Sequence, residues 1–110
     1  MIKKGYELII TIVNKGWSST VIEATQAAGA RGATVLKGKG SGLQTSTLFG
    51  FPVEPEKDII FCAVPKVISE DVLQAISQSA ALVKPGTGIA FILPILGIVG
   101  VVEDDAQQNK

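Results

Sequence analysis

The sequence predicts an α+β fold in which two helices lie on one face of a four-stranded antiparallel sheet, and three observations carry that prediction. The elements run strand, helix, strand, loop, strand, helix, strand, as two similar strand-helix-strand halves. The strands are apolar and β-branched at nearly every position, most plainly in IIFCAV (59–64) and IAFIL (89–93). The chain has 110 residues, 46% hydrophobic and 18% charged, which fits one folded domain around one core. This βαββαβ, ferredoxin-like order covers one sheet face with helices and leaves the other bare. With strands apolar on both sides the bare face needs a cover, and a closed symmetric oligomer supplies one.

The elements follow in order. YELIITIV (6–13) is β-rich and stops at Asn14-Lys15-Gly16, a strand and its turn. Ser18, Ser19 and Thr20 offer N-cap oxygens, and Thr20 with Glu23 matches a capping box. Val21, Ala24, Thr25 and Ala28 then recur at helical spacing before Gly29, which predicts a helix over about residues 19 to 28. Thr34 to Leu36 is a short strand leading to alternate glycines at 38, 40 and 42. Residues 43 to 58, with Gly50, Pro52 and Pro55, read as one long mobile loop. Ile59 to Val64 is a strand ended by Pro65. Ser69 is the expected N-cap of a second helix, with Val72, Leu73, Ile76 and Ala80 on one face. Ile89 to Leu93 is a buried strand, Ile95 to Val102 extends it or adds a fifth, and 103–110 reads as a flexible tail.

Composition excludes several kinds of chemistry. Ten Lys and Arg balance ten Asp and Glu, so no bulk positive field draws the chain to nucleic acid. There is no His and only one Cys, Cys62, inside an apolar run, which removes a disulfide framework, a His general base and a Cys/His metal centre. With no paired carboxylates either, the chain reads as a non-enzyme without a metal site. The N-terminus lacks a signal-peptide pattern, which together with the lone thiol predicts a cytoplasmic protein. Pro85 to Val102 is charge-free for 18 residues, close to a membrane span, but Pro94, Gly97 and Gly100 divide it into strand-sized pieces.

Two glycine-rich segments are candidates for anion binding. Lys37-Gly38-Lys39-Gly40-Ser41-Gly42 can aim backbone N–H groups at phosphate or form a flexible hairpin. Lys84-Pro85-Gly86-Thr87-Gly88 is a tight turn offering an ammonium, a hydroxyl and backbone N–H groups. Trp17 is read as a staple on Val21 or as an exposed aromatic. Phe49 and Phe51 sit in the long loop with no pattern that buries them, and form a candidate partner anchor.

The runs EATQAAGARGATVLKGKGSG (23–42) and LVKPGTGIAFILPILGIVGVVEDDA (82–106) resemble the PII family of signal-transduction proteins over nearly the whole chain. The family's G-x-T-V is read at Gly32-Ala33-Thr34-Val35, its K-G-x-G-x-Q at Lys39-Gly40-Ser41-Gly42-Leu43-Gln44, and its G-D-G-K-I-F turn at Gly86-Thr87-Gly88-Ile89-Ala90-Phe91. The resemblance implies a homotrimer with sheets facing inward, no obligatory cofactor, and a small-molecule effector, ATP, ADP or AMP, in the clefts between subunits. Adenine and ribose would lie near Gly32, Thr34 and Ala63. Phosphates would meet Lys39, Gly40, Ser41, Gly42 and Gln44 from one subunit and Lys84, Gly86, Thr87 and Gly88 from its neighbour. The loop would dock on a target transporter, enzyme or regulator in nitrogen or carbon metabolism. The family's cations are replaced by Leu43, Ile89, Gly100 and Val102, which marks a divergent member with fewer bidentate phosphate contacts. A CutA-like or other ferredoxin-like trimeric scaffold without nucleotide binding is the alternative.

Overall fold

The computed structural model describes residues 1–40, 46–48, 51–53 and 55–101, the two short central segments as backbone alone. Eight elements follow one another: β1 (Tyr6–Asn14), α1 (Ser18–Ala27), β2 (Thr34–Lys39), β3 (Ser46–Leu48), β4 (Phe51–Val53), β5 (Glu56–Pro65), α2 (Lys66–Ser79) and β6 (Gly88–Pro94). The main sheet has the order β2-β5-β1-β6 with every pair antiparallel. This is the expected ferredoxin-like topology, with the two longest strands of the sheet, β5 and β1, at the centre.

Strand alternation divides the sheet into two faces. Ile9, Thr11 and Val13 of β1 and Asp58, Ile60, Cys62 and Val64 of β5 are buried against the helices. Val21 of α1 and Val72 and Ile76 of α2 close that core with no exposed surface. Leu8, Ile10, Ile12, Ile59, Phe61 and Ala63 point the other way, where no helix lies. Register sets them in rows: Leu36, Ile59, Ile12 and Ile89 in one, Thr34, Phe61, Ile10 and Phe91 in the next, then Ala63, Leu8 and Leu93. Leu36, Ile89 and Leu93 stay between 42% and 57% exposed, so this face is an apolar surface open to solvent.

The boundaries correct the sequence reading in four places. Residues 43 to 58 contain the paired strands β3 and β4, and β5 starts at Glu56 rather than Ile59. β2 continues through Lys37, Gly38 and Lys39 because Asp58, Lys57 and Glu56 offer it a ladder. Neither helix starts at its expected cap. Trp17 is the N-cap of α1 and lies 44% exposed, with no side-chain cap bond, while α2 begins at Lys66, leaving Ser69 buried inside the helix and donating to Glu7 Oε1 and the Lys66 carbonyl. Among the described residues after β6 only Ile98 pairs, bridging Lys3, and no fifth strand of the sheet forms there. No helix among the described residues is long and apolar enough to cross a membrane.

Thr11 is 1% exposed in the core face of β1, and its hydroxyl has no partner among the described residues. A buried hydroxyl without a hydrogen bond costs about 1–3 kcal/mol, and valine keeps its shape. Thr11→Val is therefore expected to raise the melting temperature by a few degrees in a thermal denaturation scan. A lowered melting temperature would show that the hydroxyl has found a partner.

Candidate functional site

The residues singled out from the sequence fall at two ends of one sheet. At the first end β2, β5 and β1 finish at Lys39, begin at Glu56 and finish at Asn14, and the turn before β6 comes alongside. Asn14 organises this end. Its Nδ2 donates to the Gly86 carbonyl at 3.1 Å, and its Oδ1 accepts from Lys57 Nζ at 2.7 Å. Gly86 is held at φ 83°, a left-handed conformation that glycine adopts without strain. The Thr87 hydroxyl lies 3.0 and 2.9 Å from the Ala81 and Lys84 carbonyls, so its proton serves the turn and leaves only its lone pairs for a ligand.

Gly88 is glycine for a reason internal to the sheet. A Cβ there would lie 2.3 Å from the Ile12 carbonyl oxygen, so a side chain would separate β6 from β1 rather than merely block a ligand. Gly40 differs. Its N–H donates to the Pro55 carbonyl at 3.1 Å, and a Cβ would meet only the Lys57 stem at 3.5 Å. With Gly38 and Lys39 in β2 and the Gly40 N–H occupied, the stretch from Lys37 to Gly40 is the end of an edge strand. Gly40 and Gly88 stand at opposite sheet edges, three strand spacings or about 14 Å apart. One subunit cannot close both on the same phosphate.

The charges here are mostly committed. Lys37 Nζ donates to Asp58 Oδ1 at 2.7 Å, and Lys15 pairs with Glu56 at 3.3 Å. Asp58 is 1% exposed, and its second oxygen accepts from the Gly16 N–H at 3.1 Å. The Lys37 hydrogen bond holds this carboxyl below its ordinary value of 3.8; burial opposes that, and the N–H groups of Gly16 and Ser18 reinforce it. Lys39 and Lys84 have no ion-pair partner among the described residues.

Gly32, Thr34 and Ala63 meet at the other end, in a groove of about 960 Å³ with Tyr6, Leu8 and Phe61 on its floor and Lys4 and Arg31 also lining it. The Gly32 carbonyl accepts from the Cys62 thiol at 3.3 Å, which ties the α1–β2 connection to β5. Burial pushes that thiol up, in keeping with a structural cysteine. Along β5, Ala63 and Lys57 are six residues apart, roughly 20 Å. The residues read as base and ribose contacts thus lie far from Lys39, Gly40, Lys84, Gly86, Thr87 and Gly88 of the same chain.

Ser41, Gly42, Gln44 and Phe49 lie outside the described residues, and of Phe51 only the backbone is described, paired with Leu48. Sequence reasoning missed Asn14, Lys57 and Asp58. Alternation gave a signal for Asp58: it is in phase with Ile60, Cys62 and Val64, which marks it as buried and therefore partnered. No group of three or more metal-ligating side chains occurs among the described residues.

A family model described as "Nitrogen regulatory protein P-II" matches residues 6–104. Among solved structures, the chain is similar to Arabidopsis thaliana PII bound to citrate, with 25% identity, a TM-score of 0.67, and coverage of 90% of this chain and 85% of that one. No curated protein sequence matches at a significant level.

The Asp58 cluster predicts a pH dependence. A carboxyl whose folded value is lowered adds stability that is complete above its unfolded value and is lost as pH falls through its folded value. Asp58→Asn is expected to lower the melting temperature at pH 7, with the gap to wild type closing as the pH drops below about 4. A gap that stays constant down to pH 2 would mean that the carboxylate's charge is not what stabilises the fold.

Proposed function

The chain belongs to the nitrogen regulatory protein P-II family, and from that premise we propose that it is a non-enzymatic regulator that binds an adenine nucleotide between the subunits of a homotrimer. The observation that carries this reading is the open sheet face. Eleven residues in three registered rows, ten of them apolar and the other Thr34, are left to solvent on the side away from the helices. At about 25 cal/mol per Å² of apolar surface, covering such a face stabilises an assembly by many kcal/mol. Three sheets facing inward do so symmetrically.

The same assembly supports a composite ligand site. Gly32, Thr34 and Ala63 lie at one end of the sheet and Gly86, Thr87 and Gly88 at the other, so a nucleotide meets both sets only where subunits adjoin. Gly40, Ser41, Gly42, Gln44, Lys39 and Lys84 complete the proposed contacts. The similar plant protein is described with citrate bound, which supports a small anionic effector for this chain. The segment of about residues 43–58 then reports the bound state to a target protein in nitrogen or carbon metabolism, with Phe49 and Phe51 as the anchor.

Two measurements test this. Light scattering is expected to give three times the 11.5 kDa of the chain, and a thermal-shift panel of ATP, ADP, AMP, 2-oxoglutarate, citrate and bicarbonate is expected to show stabilisation by an adenine nucleotide. A monomer at micromolar concentration removes the composite site, and a flat response at millimolar nucleotide removes the ligand. Replacing Phe49 and Phe51 together with Ala is expected to leave mass and melting temperature unchanged while abolishing partner capture. A melting temperature lowered by many degrees would place the pair in the core instead.

A further inference from the structure

The chain after β6 is drawn back across one end of the sheet. The Lys3 N–H donates to the Ile98 carbonyl at 2.7 Å, and the Ile98 N–H donates to the Lys3 carbonyl at 2.9 Å. Gly97 lets the two segments meet, since a Cβ there would lie 2.8 Å from Ile2 Cγ2. Gly100 follows at φ 89° with open space where a Cβ would stand, so the left-handed turn, not packing, calls for glycine. Gly100 and Val101 then line the groove at the Ala63 end, together with Lys4, just before β1, and Arg31, in the connection between α1 and β2. Both cations are exposed, and neither has an ion-pair partner among the described residues.

The sequence continues past the described residues with Val102 and then three acids in a row, Glu103, Asp104 and Asp105. An extended chain advances at most about 3.6 Å per residue, so from Val101 the first carboxylate is about 7 Å along the chain and the third about 14 Å. All three are thus tethered to the groove that Lys4 and Arg31 line. We propose that Glu103-Asp104-Asp105 docks on Lys4 and Arg31 and is an anion built into the chain, which an anionic effector has to displace. Displacement rests on the nucleotide reading above, whereas docking stands without it. Tethering raises the local concentration of the acids to about the millimolar range, enough for contacts too weak to hold a free peptide. Exposed ion pairs are individually weak and screened by salt, so this contact forms and opens readily, as an occupant that yields to an effector must.

Paramagnetic relaxation tests the docking. Cys62 is buried, so in the Gln107→Cys variant a thiol-reactive nitroxide labels position 107, two residues past the acids. In about 20 mM salt the label is expected to broaden the amide signals of Arg31, Gly32 and Ala33, and to lose that effect in about 0.5 M salt or when Lys4→Ala and Arg31→Ala are added. No broadening at low salt overturns the proposal. So does broadening that the added substitutions leave unchanged, which would seat the acids on another cation of this end, such as Lys66. The triple variant Glu103→Gln/Asp104→Asn/Asp105→Asn tests displacement. Its affinity for ATP in calorimetric titration at low salt is expected to exceed that of wild type about threefold or more, with the gap closing at high salt. Equal affinities at low salt overturn displacement. Should neither protein bind an adenine nucleotide, the nucleotide reading and displacement fall together, and the relaxation measurement still decides the docking.

Discussion

Asp58 is the constraint on which one whole end of the molecule depends. A carboxylate with 1% exposure is costly to bury, and it stays charged because donors converge on it from two places: the Lys37 ammonium from β2 and the Gly16 and Ser18 N–H groups at the entry to α1. These contacts do two structural jobs. They clip the edge strand β2 to β5, where a lysine at 69% exposure would otherwise add little. They also supply the acceptor that α1 lacks, since no local side chain caps that helix. On the opposite face of β5 from Asp58, the Lys57 ammonium donates to the neutral Asn14 amide, which in turn fastens the Gly86 turn. At the far end of the sheet a thiol-to-carbonyl bond from Cys62 holds the chain near Gly32.

The fold was legible in the sequence because its determinants are local and periodic. β-branched runs ended by Asn-Lys-Gly or Pro located the strands, helical spacing located α1 to within a residue at each end, and apolar positions on both strand faces announced a surface in need of a cover. The missed boundaries share a cause, which is pairing across the sheet. Gly38 and Lys39 carry no strand propensity of their own, yet they are extended because Lys57 and Glu56 stand opposite them. Ser69 looked like a cap by composition, but Lys66 N–H finds the Gly5 carbonyl, so the helix starts a turn earlier. Local rules describe what a residue accepts, and tertiary partners decide which of the accepted states it takes.

The glycines show how far site reading from sequence reaches. Gly86 and Gly88 look alike in the string KPGTG, yet one has open space where a Cβ would stand and the other has a carbonyl oxygen at 2.3 Å. One is therefore available to a ligand, whereas the other is required by the close approach of β6 to β1. Gly40 resembles neither, because its N–H is already bonded to Pro55. A sequence pattern that groups these residues as one phosphate cradle merges glycines that the fold uses in distinct ways.

The polarity of the two ends then bears on what the molecule recognises. At the Asp58 end, three lysines are fixed by the chain's own acceptors, so that much of the positive charge there works for the fold. At the Ala63 end, Lys4 and Arg31 line the groove beside apolar residues, with no ion-pair partner among the described residues. Charge compensated within the chain stabilises it without attracting an anion, and charge left uncompensated beside a concave apolar surface does the reverse. A count of ten cations against ten anions conceals this division. What sets recognition is which cations the fold has left unpaired, and where the sheet has placed them.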